Sequence, residues 1–125
     1  MSEDDQRKRG TEVRRAVLGD AHVERAETSK TELTEDFQDL LTRFVWGEIW
    51  SRPGIDRRTR SCITIAMLVA LGREEELAIH VRGALNNGVT REEVKEVLLQ
   101  TAVYCGIPAA NTAFRVAAAV FSESE

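Results

Sequence analysis

The stretch Cys62-Ile63-Thr64-Ile65-Ala66-Met67-Leu68-Val69-Ala70-Leu71 decides the fold. It is apolar at nearly every position, yet about half the length of the roughly 20 residues needed to cross a bilayer. Its β-branched residues also suit a strand, but a strand must pair, and no other segment offers it a partner. The stretch is therefore predicted as the central helix of an all-α, compact multi-helix domain, apolar on nearly all sides and buried. Asp56 can cap its start by accepting backbone N–H bonds, and Gly72 can stop it.

Downstream, Arg73 to Asn87 predicts a helix with Leu77, Val81, Ala84 and Leu85 inward. Glutamates fill its first turns, where the helix dipole favours them, and Asn87-Gly88 supplies a left-handed end. Thr90-Arg91-Glu92-Glu93 has the form of a capping box and opens a helix that turns Val94, Val97, Leu98 and Ala102 inward and ends near Cys105-Gly106. Pro108 fits the first turn of a last helix, whose stripe of Ala113, Val116, Ala117, Val120 and Phe121 is small enough for close helix packing.

Upstream, Arg52-Pro53-Gly54 is turn chemistry that ends an α-helix begun at Thr34, with Phe37, Leu40, Leu41, Phe44 and Val45 on one face. Asp4 to Arg15 is strongly charged with few apolar positions, so a helix there needs something to dock on. Ala21 to Thr28 reads as a second short segment. Residues 1–30 are thus expected to be a charged arm or docking helices on a single domain covering 1–125.

A chain of 125 residues, 42% apolar and 30% charged, can bury about two-thirds of its unfolded surface. Its net charge of −4 gives no electrostatic reason to bind nucleic acid or an anionic membrane. The polar start Met1-Ser2-Glu3-Asp4-Asp5 is unlike a secretory leader, and a cytoplasmic protein is expected. Cys62 and Cys105, 43 residues apart, form neither a C-x-x-C pair nor a four-ligand zinc set, and are expected to be reduced, buried and inert.

Three places can carry chemistry. His80 lies three residues after Leu77 and four before Ala84, which turns it inward. On that ground alone it is as readily a core histidine held by one hydrogen bond. Glu76, four residues earlier, can orient the imidazole, or be no more than an i,i+4 surface pair. Glu48 stands between Trp46 and Trp50 just ahead of a turn, a placement that can set a carboxylate in an apolar wall; the tryptophans serve equally as core anchors. Arg57, Arg58 and Arg60 surround the start of the central helix, where guanidinium and free N–H donors can together receive a carboxylate, or simply form a solvated basic turn. His22, in a charged segment, is read as a surface residue.

Three blocks, in order, sharpen this reading: Trp46-Gly47-Glu48-Ile49-Trp50-Ser51-Arg52-Pro53-Gly54-Ile55-Asp56-Arg57-Arg58-Thr59-Arg60, then Gly72-Arg73-Glu74-Glu75-Glu76-Leu77-Ala78-Ile79-His80 continuing to Thr90, then Tyr104-Cys105-Gly106-Ile107-Pro108-Ala109-Ala110-Asn111-Thr112-Ala113-Phe114. They resemble the γ-carboxymuconolactone decarboxylase family, and the likeness runs from about Gly10 onward. The resemblance implies the all-helical fold shared with alkyl hydroperoxidase D and assembly into a homo-oligomeric ring, commonly a hexamer, with a trimer as the smaller possibility. It implies no metal and no organic cofactor. It further implies the protocatechuate branch of the β-ketoadipate pathway, with a lactone dicarboxylate, 4-carboxymuconolactone, as substrate and the enol-lactone of 3-oxoadipate as product. On this reading His80, Glu48 and Glu76 are the catalytic candidates, and Arg58, Arg60, Trp46 and Trp50 the substrate-binding ones.

The peroxidase branch of the superfamily carries C-x-x-C-x-x-x-H on this helix; laid on His80, its cysteines fall at Arg73 and Glu76. Its Arg-Glu-Leu at the head of the central helix is Arg60-Ser61-Cys62 here. Disulfide chemistry is disfavoured and proton chemistry remains. Two alternatives stay open: a thiol peroxidase using Cys62 or Cys105 of adjacent subunits, and a non-catalytic oligomeric binding protein that kept the fold.

Overall fold

Helices make up all the regular structure among residues 2–123, the part of the chain that the computed structural model describes. They form two compact units, residues 2–56 and 57–123.

In the first unit, the Ser2 hydroxyl accepts the Asp5 amide at 3.1 Å and opens α1 (Glu3–Leu18), whose first-turn acids suit the positive end of the helix dipole. α2 (Asp20–Thr28) follows, then α3 (Glu35–Leu40). The charged α1 docks through the stripe Gly10, Val13, Arg14 and Val17, all buried at helical spacing. Its ionic face is tied down as well: Arg7 grips Asp39 with two guanidinium bonds of 2.6 and 3.2 Å, and Arg43 donates to the same carboxylate at 2.8 Å.

The α-helix expected from Thr34 to Trp50 does not continue as one. From Leu41 to Ile49 the chain is a π-helix, closing on a Trp50 N–H to Val45 carbonyl bond of 2.9 Å, and most π-turns are single bulges. Hydroxyls serve carbonyls near its two ends, Thr42 donating to Gln38 at 2.9 Å and Ser51 to Gly47 at 2.6 Å. The predicted inner face is also corrected. Phe37, Leu40 and Phe44 are exposed, while Trp46 and Trp50 are buried with Val13 and Val17.

The second unit contains α4 (Arg57–Leu71), α5 (Glu74–Asn86), α6 (Arg91–Tyr104) and α7 (Ile107–Ser122). Each contributes the stripe its spacing dictates: Ile65 and Val69, Leu77, Val81 and Ala84, Val94 and Leu98, Ala113, Ala117 and Val120. Full burial of a side chain such as Ile65 stabilises by about 2 kcal/mol. α4 is nevertheless not buried on nearly all sides. Ile63, Met67 and Leu71 are 39%, 58% and 67% exposed, because three neighbouring helices cover only one face of a fourth. No helix among the described residues is long and apolar enough to cross a membrane.

Candidate functional site

The first turn of α4 carries Arg57, Arg58 and Arg60 and no acidic residue, an unfavourable load at the positive end of a helix dipole. Glu93, on α6, brings a carboxylate to this turn. Its Oε1 accepts from the Arg58 Nη2, and the Arg58 Nε donates to the Gly88 carbonyl at 3.2 Å. The same Oε1 accepts the Thr90 amide at 2.9 Å while the Thr90 hydroxyl accepts the Glu93 amide at 3.0 Å, which completes the predicted capping box. The Thr90 amide, and after it the Arg58 guanidinium, hold the Glu93 carboxyl below the usual range. A second tie lies alongside: the Asn87 side-chain amide donates at 2.9 Å to the hydroxyl of Ser61, which is fully buried. Gly88, at φ 85°, gives the chain the left-handed turn that brings its carbonyl to Arg58.

Arg60 sits on another face of the same turn and is half-buried. His80 is half-buried on α5 between Leu77 and Ala84, both closed off from solvent, and its Nδ1 is itself buried. α4 and α5 are joined by the Gly72-Arg73 turn and pack on each other in the second unit, with Arg60 on the one and His80 on the other. Glu76, one turn before His80, is exposed.

In the first unit the π-helix carries Trp46, Glu48 and Trp50. The two rings lie 5.0 Å apart at 34° and are almost fully buried against α1, whereas Glu48 faces solvent. Neither Cys62 nor Cys105 is in a disulfide, and both are half-buried rather than buried as expected. Cys62 shares a hollow with Glu92, Glu93, Glu96 and Val97, an acidic surrounding unlike the electropositive ones that activate thiols. Cys105 caps the far end of α6, about 12 Å along that helix from Val97. Among the described residues, no group of three or more His, Cys, Asp or Glu is placed to hold a metal ion.

Sequence reasoning identified the arginine turn and the capping box separately and missed that they are one structure.

Residues 35–119, from α3 into α7, match the Carboxymuconolactone decarboxylase family. The 4-carboxymuconolactone decarboxylase of Acinetobacter baylyi is 49% identical over 123 residues, covering 98% of this chain and 92% of that protein. The nitrosuccinic acid decarboxylase of Metarhizium robertsii is 46% identical over 99 residues, covering 79% of this chain and 69% of its own. With a helical core, a histidine-bearing α5 and an arginine-headed α4 inside the matched region, the chain belongs to the carboxymuconolactone decarboxylase family.

Proposed function

We propose that this protein is a carboxy-lyase that converts 4-carboxymuconolactone to the enol-lactone of 3-oxoadipate in the protocatechuate branch of the β-ketoadipate pathway, acting in the cytoplasm. The observation that carries this reading is the near end-to-end identity of 49% with a relative named for that reaction. The substrate supplies its own electron sink. As the carbon–carboxylate bond breaks, its electron pair passes through the ring double bond to the lactone carbonyl, CO₂ departs, and the resulting dienolate takes up a proton on carbon. The protein has to hold the carboxylates, stabilise a transient oxyanion and deliver that proton.

His80 is the proton donor or the hydrogen-bond donor to the dienolate oxygen. Glu76, one turn away on α5, is the carboxylate that helix geometry offers to orient it, and Glu48 is the alternative. Arg60 receives a substrate carboxylate. Arg58 is the weaker candidate for that task, because its guanidinium is committed to Glu93 and Gly88. Trp46 and Trp50 support the segment that carries Glu48. The exposed apolar residues Ile63, Met67 and Leu71 on α4, with Val103, Tyr104 and Ile107 about the α6–α7 turn, support assembly of copies into a ring, a hexamer or its trimeric half.

The test is direct: purified protein is mixed with freshly generated 4-carboxymuconolactone, and ultraviolet absorbance and CO₂ release are followed. Conversion to the enol-lactone is expected. No turnover of the lactone overturns the proposal. Parallel incubation with nitrosuccinate separates the two activities named among the relatives.

A further inference from the structure

We infer that Glu93 is a positioning residue for substrate binding: through its ion pair with Arg58 it fixes the first turn of α4 and, with it, the direction of Arg60. The inference rests on the decarboxylase reading given above. Three observations support it. First, Arg57, Arg58 and Arg60 repel one another and the helix dipole, with Asp56, just before α4, as the acid next to them in sequence. Such a cluster gains from a further carboxylate that draws one of the three inward. Second, Glu93 is held before it meets Arg58. One carboxylate oxygen accepts both the Thr90 amide and the Arg58 guanidinium, so the capping box of α6 presents a fixed charge to the start of α4. Third, Arg58 is held at two points, by Glu93 and by the Gly88 carbonyl, and a guanidinium fork bound twice has little freedom left. The Asn87–Ser61 bond adds a further tie between the same turn of α4 and the end of α5.

The consequence is a division of labour within one arginine cluster. Arg58 faces the protein and Arg60 two residues on, roughly 200° around the helix, faces elsewhere. Arg60 then meets a carboxylate with its helix turn already ordered, which lowers the entropic cost of binding. Loss of the pair frees the turn, so substrate binding weakens while the proton step at His80 is left in place.

The test is steady-state kinetics on the lactone for Arg58→Met, Glu93→Ala, the double variant and Arg58→Lys, with folding checked by circular dichroism. Arg58→Met and Glu93→Ala are each expected to raise KM about tenfold with kcat within threefold. The double variant is expected to match the single ones rather than multiply them. Arg58→Lys, which retains the pairing charge, is expected to recover most of the loss. Glu93→Gln, which keeps the capping acceptor, serves where Glu93→Ala is too unstable, with a KM increase of at least threefold. A high KM in Arg58→Met alone, with both Glu93 variants unaffected, overturns the inference and makes Arg58 the substrate clamp. Unchanged KM throughout, or losses confined to kcat or to stability, overturns it in favour of a purely structural staple. A wild-type protein that does not turn over the lactone removes the decarboxylase reading, and the inference with it.

Discussion

Gly10 and Gly47 meet backbone to backbone where α1 crosses the π-helix: a Cβ on Gly10 would come within 3.0 Å of the Gly47 amide nitrogen and 1.9 Å of the Thr42 carbonyl oxygen. Neither neighbour is a flexible side chain that can swing away. Gly10→Ala is therefore expected to destabilise by about 2 kcal/mol or more, the range of overpacked sites. At an open helical position the same change adds up to about 1 kcal/mol. Urea denaturation checks the sign, and a stabilised Gly10→Ala protein would show that this crossing is not tight.

Asp39 gives the first unit an acid-sensitive joint. Hydrogen bonds from Arg7 and then Arg43 hold its carboxyl well below the usual range in the folded chain. A depressed native value means that the contribution is complete above the ordinary carboxylate value of about 4 and fades as pH falls below it toward the native value. Asp39→Asn is thus expected to be less stable than the parent at neutral pH, with a smaller further loss on acidification. Melting temperatures measured from about pH 7 to pH 2.5 give the comparison, and parallel curves for the two proteins would refute the assignment.

For His80 the expected signature is chemical rather than structural. His80→Gln retains an N–H of similar reach but cannot transfer a proton, so kcat should fall about 100-fold or more while KM changes little. A folded His80→Gln protein with kcat within threefold of the parent rules out proton delivery by this residue.

The thiols separate decarboxylation from peroxidase chemistry. Cys62 lies in an acidic hollow and Cys105 at the opposite end of α6. The Cys62→Ser, Cys105→Ser double variant is expected to keep decarboxylation within about twofold, whereas a thiol peroxidase would lose its activity entirely. Stopped-flow assays with lactone and with hydroperoxide settle the matter.

Much of the helical layout was legible because it rests on local rules. The capping box at Thr90 and Glu93, the left-handed glycine after Asn87, Pro108 in the first turn of α7 and the α5 stripe through Leu77, Val81 and Ala84 each depend on residues within two turns of one another. The π-helix was not legible, since Leu41, Phe44 and Val45 fit a 3.6-residue period and the wider winding arises where the chain packs on α1. The exposure of Met67 and Leu71 was missed for a related reason: periodicity reports that a residue is apolar, not how many neighbours are available to cover it. In the candidate site, type and spacing single out His80 and the arginines as candidates, and the family resemblance raises His80 above a core histidine. The Arg58–Glu93 pair spans 35 residues, and no local pattern encodes such a contact.

The π-helix also bears on how this chain tolerates changes in length. An i→i+5 register accommodates one more residue per turn or so than an α-helix of the same rise, so removing a single residue between Leu41 and Ile49 would let that stretch rewind as α. The tighter α winding and the lost residue rotate the following side chains in opposite senses without cancelling over nine positions. Trp50 would shift from its place beside Trp46, and Glu48 would point in a new direction. Insertions and deletions that loops absorb without effect would here re-aim the segment that carries Glu48, so the length of residues 41–49 is tightly prescribed.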